Sequence, residues 1–255
     1  MATPFMFALA AIQRHSLRMP LAAHMLAVAL GLFQFGGNFN FVYRAEQYLT
    51  SGIVAVMFAL LMVPNAIFGR ILLGERITPR FMAGSAVAIV GVILLLLHEA
   101  QAARLGGNVW LGVVLVVGGI LSASVANVIQ ANETGRSVPL TVLLAWAMLY
   151  GTLLDAAMAW ALAGPPVFPR RLSFWAGTAW LALAGSVVTF PLYYAIVRKI
   201  GPGRAAYNGV AVVVLAMVIS TFIEGFTWTP LAVAGAVLGM AGMIIALRAK
   251  FTAPA

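Results

Sequence analysis

Among the side chains that could do chemistry, the carboxylate of Asp155 lies deepest inside an apolar run. It follows Pro139 by sixteen residues, which is about 24 Å along a helix that rises 1.5 Å per residue. Acidic side chains inside membranes usually face a cavity or a partner, and they often carry protons. We therefore expect Asp155 to be a proton-coupling residue. The alternative is an acid near the outer membrane interface, where water solvates it.

Amide side chains form a second group that could recognise a small molecule. Gln34, Asn38 and Asn40 fall within two turns of one apolar run, and the first two share a helix face at i, i+4. Asn65 follows Pro64, and a proline inside a helix frees a carbonyl that needs a cavity or a polar neighbour. These residues are candidates for substrate binding. They could instead join neighbouring helices, where each hydrogen bond contributes about 0.6–2 kcal/mol.

Aromatic side chains could form a wall around the same substrate. Trp146 and Tyr150 share a helix face at i, i+4, and Tyr193 and Tyr194 are adjacent. All four are candidates for substrate binding, although each one taken singly also fits a place in the core or against lipid.

Enzymatic chemistry finds little support. The absence of cysteine excludes disulfides, thiolate metal sites and a cysteine nucleophile, and the three histidines are too far apart for a metal motif. Asp155 alone cannot supply the two carboxylates of an aspartyl protease. His24 is the only histidine inside a full apolar run, and a serine-type site would require it beside Ser122 or Ser124. The Walker pattern is also absent. We predict no catalytic residue, no metal and no cofactor.

The composition places the chain in a membrane. Hydrophobic residues make up 63% and charged residues 8%, against about 45–50% and 25% in soluble domains. The net charge is +9, but the basic residues stand singly or in pairs between apolar runs. That pattern sets membrane orientation and does not form a nucleic-acid surface. The predicted partners are membrane lipid and a small-molecule substrate, without nucleic acid, and a homodimer is left open.

The apolar runs predict eight full transmembrane helices, since most have the 17–25 residues that span about 30 Å of hydrocarbon. They are 21–43, 50–73, 81–97, 109–130, 139–163, 174–197, 205–223 and 231–247. The earlier run 4–12 is too short to span and is interpreted as the tail of a helix.

The basic residues predict the orientation. A cytoplasmic C-terminus places eleven of them in inside turns and four in outside turns, whereas the opposite orientation reverses these counts. The inside set is Arg14, Arg18, Arg70, Arg76, Arg80, Arg136, Arg198, Lys199, Arg204, Arg248 and Lys250, and the outside set is Arg44, Arg104, Arg170 and Arg171.

Two helices carry a face of small residues with the same spacing, i, i+4 and i+7. We predict that these faces pack helices closely. An acidic residue precedes each helix, Glu75 and Glu224, and both are interpreted as structural. Because the two helices cross the membrane in opposite directions, the chain has the pattern of an inverted repeat, which is typical of secondary transporters. The small residues are Gly84, Ala88 and Gly91 in one helix and Gly235, Gly239 and Gly242 in the other.

The segment 45–97 resembles the EamA-type repeat of the drug/metabolite transporter superfamily. The shared marks are Thr50 and Ser51, the mid-helix Pro64, the Leu-Gly-Glu-Arg turn at 73–76, and the helix with Gly84 and Gly91. The second half is a weaker copy, with GPGRAA at 201–206, Glu224, Gly235 and Gly242, and it lacks the mid-helix proline.

The resemblance implies a polytopic all-α membrane bundle of two inverted five-helix repeats with both termini in the cytoplasm. Residues 1–98 then form an incomplete first repeat and 109–248 the second, with eight full transmembrane helices after a short N-terminal remnant. The expected function is alternating-access export of a small metabolite or amphipathic compound across a bacterial inner membrane. Because the first helix of the family is missing, the chain either starts at an internal Met or is natively shortened. A transport-inactive subunit that packs with a partner is the alternative.

Overall fold

The computed structural model describes residues 1–74, 76–102, 108–165, 167–205 and 208–248, with the backbone alone at 99–102, 203, 204, 208, 210, 211, 224 and 247. Helices account for the secondary structure of these residues, and no strand occurs among them. The helices are α1 Ala2–Ile12, α2 Leu21–Ala45, α3 Ser51–Leu73, α4 Pro79–Ala102, α5 Val109–Ile129, α6 Glu133–Arg136, α7 Leu140–Ala163, α8 Leu172–Ile200, α9 Pro202–Ala205, α10 Asn208–Ile219 with the π-helical turn Ser220–Glu224, and α11 Pro230–Leu247.

Each predicted apolar run coincides with a helix, and the ends differ by a few residues. Six helices, α2 to α5, α7 and α8, are long and apolar enough to cross a membrane. The apolar stretches Ala2–Ile12, Val212–Ile223 and Pro230–Ala246 are shorter. The all-helical membrane fold is therefore confirmed, while the number of eight full spans and the repeat arrangement stay predictions.

Two of the long helices contain an unusual winding. The segment Gly31–Asn38 of α2 and the segment Leu181–Val188 of α8 are π-helical. Hydroxyl groups support the second segment, since Thr189 Oγ1 donates to the carbonyl of Ala184 at 2.8 Å. Segments with π-helical winding are rare and are frequently found at functional sites.

The contacts divide the chain into two compact units. Unit 1 comprises Met1–Gly37 and Ile129–Gly201, and unit 2 comprises Asn38–Val128 and Pro202–Ala255, of which residues up to 248 are described. Each unit therefore combines residues from both predicted repeats. In unit 1, α1 and the first part of α2 pack on α7. In unit 2, α4 packs on α11 and α3 on α10.

The two small-residue faces of unit 2 pack against each other. A Cβ added at Gly91 would lie 2.6 Å from the carbonyl oxygen of Gly235, and one added at Gly84 would lie 2.7 Å from that of Gly242. Ala88 between them is fully buried. Because the partner numbers fall as the α4 numbers rise, the helices run antiparallel. Gly239 differs from the others, since a Cβ there would meet nothing within 4 Å, although its own backbone lies against Gly91.

Candidate functional site

A buried hydrogen bond joins α2 and α8 inside unit 1. Tyr194 is 1% exposed and Gln34 is 6% exposed, and the hydroxyl of Tyr194 donates to Oε1 of Gln34 at 3.0 Å. Phe190 packs on the same group, with its ring centroid 5.1 Å from that of Phe35 and 5.9 Å from that of Tyr194. Tyr193 lies beside Tyr194, with centroids 5.8 Å apart. The structure thus brings together three of the predicted residues, Gln34, Tyr193 and Tyr194, and Gln34 lies in the π-helical segment.

Trp146 and Tyr150 belong to a second aromatic group of unit 1. Their rings stack with centroids 5.8 Å apart. The imidazole of His24 lies edge-on to Trp146 at 4.8 Å, and its Nδ1 is 2.9 Å from the hydroxyl of Tyr150. Phe7 packs on Trp146 at 5.4 Å. His24 is therefore placed among aromatic residues, which gives no support to its use as the base of a serine-type enzyme.

Asp155 lies on α7, half-buried, next to the same π-helical segment. Its Oδ1 is 3.8 Å from the position that a Cβ on Gly36 would occupy. The absence of a side chain at Gly36 thus allows the carboxylate to approach α2. Because of this proximity, protonation of Asp155 could change how α7 packs on α2. The role of Asp155 in proton coupling stays a prediction.

The remaining amides lie in unit 2. Asn65 is fully buried, and Asn127 donates from Nδ2 to its Oδ1 at 3.4 Å. Asn65 in turn donates to the carbonyl of Pro202 at 3.5 Å. Pro64 lies half-buried in α3, just after the 3₁₀ turn Ala59–Leu61. These bonds hold α3, α5 and α9 together, as expected for amides that join helices.

Asn38 and Asn40 belong to unit 2, whereas Gln34 belongs to unit 1. Asn38 is 5% exposed, and its Oδ1 accepts no hydrogen bond from the described residues. Asn40 is half-buried. The three amides that the sequence groups by spacing are thus divided between the two units.

Arg198 is a residue whose role the sequence does not reveal. Its guanidinium donates to Oε1 of Gln130 at 3.3 Å, to the carbonyl of Val138 at 3.3 Å and to the carbonyl of Gly135 at 2.5 Å. Arg136 donates to the carbonyl of Ala131 in the same turn. Spacing offers no signal for this arrangement, because Arg198 is 60 or more residues from each of its partners.

No metal site accompanies these groups. The part of the chain that the structure describes contains no cluster of three or more His, Cys, Asp or Glu side chains that could hold an ion. Glu75 lies outside the described residues, and Glu224 is described by its backbone alone. A groove between α4 and α5 has an almost entirely apolar surface, with Ile93, Leu96, Leu97, Val109 and Trp110 as its lining. It has no group that could recognise a polar substrate.

The apolar helices, with polar groups buried between them, define a multi-pass membrane protein. Residues 1–97 match the profile of the EamA-like transporter family. Protein PagO of Salmonella typhimurium is 22% identical over 88% of this chain and 73% of its own length. A probable terminal-alkyne amino-acid exporter of Streptantibioticus cattleyicolor is 26% identical over 80% of this chain and 66% of its own length.

Two further similarities agree with this class. The uncharacterized inner membrane transporter YedA of Escherichia coli is 25% identical over 82% of this chain and 66% of its own length. A crystal structure covers 96% of this chain with a TM-score of 0.68 at 20% identity, and the alignment covers 83% of that chain. This last match supports the fold alone. Together with the profile matched by residues 1–97, these relatives confirm the resemblance to EamA-type transporters seen in the sequence.

Proposed function

We propose that this protein is a secondary exporter of a small metabolite or amphipathic compound in a bacterial inner membrane. The observation that carries the proposal is the Tyr194–Gln34 hydrogen bond, because both partners are almost completely buried within membrane-spanning helices. Polar groups at such positions are expensive in lipid and tend to mark substrate or ion pathways. The bond also joins α2 and α8, which are corresponding helices of the two predicted repeats.

The antiparallel packing of α4 on α11 supports the inverted-repeat arrangement. Each of these helices ends one predicted repeat, and their small faces meet backbone to backbone. In transporters built from inverted repeats, alternating access arises when one half moves against the other around a central site. Alternating access is therefore the mechanism that we propose for this chain.

Proton coupling is proposed at Asp155. Its position against Gly36 links the carboxylate to the π-helical segment that also contains Gln34. Protonation removes the charge and so changes what it costs to bury this side chain against α2. With a cytoplasmic C-terminus, Asp155 lies beyond the midplane on the outer side, where it could take up protons that drive export.

A transport measurement tests the proposal. The purified chain is placed in liposomes with an acidic lumen, and uptake of radiolabelled amino acids is measured, since one relative is named as an amino-acid exporter. We expect uptake above that of empty liposomes and, because one buried hydrogen-bonding group is removed, a loss of about tenfold in Gln34→Ala. Gln47→Ala is the matched control, because Gln47 is exposed and lies beyond the end of α2.

The coupling role is tested in the same liposomes. Asp155→Asn should abolish the stimulation by the acidic lumen but preserve the exchange of labelled for unlabelled substrate, since only the proton site is lost. Glu133 is an exposed acid on α6, and Glu133→Gln should leave both the stimulation and the exchange unchanged. Equal stimulation in Asp155→Asn and the parent protein would contradict the coupling proposal, and uptake equal to that of empty liposomes across a broad metabolite panel would contradict the exporter proposal.

A further inference from the structure

We propose that the His24 cluster, defined as His24, Phe7, Trp146 and Tyr150 with the basic turn 13–18, binds the carboxylate of an organic acid that has a planar apolar body. The inference rests on the proposed function in one respect, namely that such an acid would be the transported substrate. Binding itself can be measured without transport. The cluster lies entirely within unit 1.

The hydrogen bond of His24 prepares the imidazole to donate to an anion. When the hydroxyl of Tyr150 donates to Nδ1 across the 2.9 Å between them, the proton of the neutral ring resides on Nε2. No described residue accepts a hydrogen bond from Nε2, and the side chain is only half-buried. In this tautomer Nε2–H is free to donate to a carboxylate.

The rings around His24 supply a surface for a flat apolar body. Trp146 stacks on Tyr150 with an angle of 29° between the planes, and Phe7 meets Trp146 edge-on. All of these rings are half-buried, so part of their surface stays open. Aromatic surfaces of this kind favour offset or edge-to-face contact with another ring.

The basic turn is held against this cluster by specific bonds. The indole nitrogen of Trp146 donates to the carbonyl of Leu17 at 3.0 Å, and Thr141 donates to the side chain of Gln13 at 2.8 Å. Arg14 has a positive φ of 57°, which is uncommon for a residue other than glycine and often marks a functional site. Arg14 and Arg18 are both exposed. Membrane orientation explains basic residues in this turn, but it does not require the turn to be bonded to Trp146.

The surrounding charges favour an anion. Residues 1–37 contain no acidic side chain. Two helices pack on the first part of α2, Leu21–Leu30, namely α6 and α7. On α6, Glu133 and Arg136 have opposite signs and are both exposed. On α7, Asp155 lies five residues beyond Tyr150, which is about 7.5 Å farther along the helix from the basic turn. Basic side chains therefore outnumber carboxylates around the His24 cluster. Aromatic faces alone would favour a cation, so the sign of the bound charge tests the proposal.

The experiment compares three ligands with one ring system. The purified full chain in phosphatidylcholine nanodiscs is titrated by calorimetry with 1-naphthaleneacetate, 1-naphthylmethylammonium and the neutral 1-naphthaleneacetamide, and empty nanodiscs give the lipid background. We expect the carboxylate to bind at least about tenfold more tightly than the other two. Tightest binding of the ammonium compound, equal binding of all three, or no binding above background would each overturn the proposal.

Variants identify the side chain that binds the carboxylate of the ligand. His24→Gln and Tyr150→Phe should lower the affinity for the carboxylate about tenfold, because the oriented Nε2–H is lost, and should leave that for the amide unchanged. Unchanged amide binding shows that the aromatic surface is still folded. His15→Gln is the matched control, since His15 is exposed in the basic turn. An equal loss in His15→Gln would overturn the assignment to His24.

Transport is scored separately in liposomes. A protein that binds 1-naphthaleneacetate selectively but moves no substrate would contradict the exporter proposal and leave the binding site standing. A protein that transports substrates with no preference for carboxylates, and whose His24→Gln variant binds 1-naphthaleneacetate as the parent does, would contradict the binding site and leave the exporter proposal standing.

Discussion

The contact between α4 and α11 in unit 2 and the contacts around α2 in unit 1 are built from different interactions. In the first, glycines bring two backbones together, and there is no side-chain chemistry at the closest points. In the second, specific side chains meet, such as Tyr194 with Gln34 and His24 with Tyr150. The stability of the first contact should therefore depend on side-chain volume, and that of the second on which polar atoms are present.

This difference is consistent with separate roles in a membrane. Association of helices in lipid relies on close packing and hydrogen bonds, because lipid removes the usual hydrophobic driving force. Backbone contact supplies packing along a whole helix, and it leaves no polar group for a ligand. Buried hydroxyl and amide groups can exchange partners, and unit 1 also contains the π-helical segment Leu181–Val188 and all of Gly31–Asn38 except its last residue. Unit 1 is accordingly the better place to seek recognition of a substrate.

The largest effect is expected from one methyl group between α4 and α11. In Gly91→Ala the new Cβ would lie 2.6 Å from the carbonyl oxygen of Gly235, so the two backbones must separate, at about 1–3 kcal/mol. Gly239→Ala is the matched control, because a Cβ there meets nothing within 4 Å. Unfolding of the purified proteins in detergent measures the loss of stability in each variant. Similar losses in the two variants would show that the packing does not depend on this close contact.

The sequence predicts one half of this comparison better than the other. Run length and the i, i+4, i+7 spacing of Gly84, Ala88 and Gly91 indicate a helix with a packing face, because helix geometry is local. The partner of that face is not local, and pairing with Gly235 and Gly242 emerges only in the fold. Gln34 and Tyr194 are both identified as candidates by residue type, yet nothing in the sequence pairs two residues 160 positions apart. The π-helical winding of α2 also has no sequence signal of its own.

A second prediction concerns Arg198, whose contribution to stability should depend more on the geometry of its donors than on its charge. Arg198→Lys keeps the positive charge but cannot reach Gln130, Val138 and Gly135 together, because lysine lacks the planar fork of donors. We expect the free energy of unfolding to fall by about 2 kcal/mol, the typical contribution of hydrogen bonds to charged groups. Unfolding in detergent is the measurement, with Lys199→Arg as the control at the exposed neighbour. Equal stability of Arg198→Lys and the parent would show that charge alone holds the turn.

The smallest effect is expected at the bond between α2 and α8. Tyr194→Phe removes the hydroxyl and keeps the ring against Phe190, so only the 3.0 Å bond to Gln34 is lost. Hydrogen bonds between membrane helices contribute about 0.6–2 kcal/mol, less than the methyl group at Gly91 can remove. A double-mutant cycle with Gln34→Leu isolates the pair, since each single change removes one partner of the same bond. A coupling energy near zero would mean that the two groups meet without stabilising unit 1. A clear coupling, together with reduced uptake in Tyr194→Phe liposomes, would mean that the polar atoms of unit 1 serve both folding and recognition, unlike the glycines of α4 and α11.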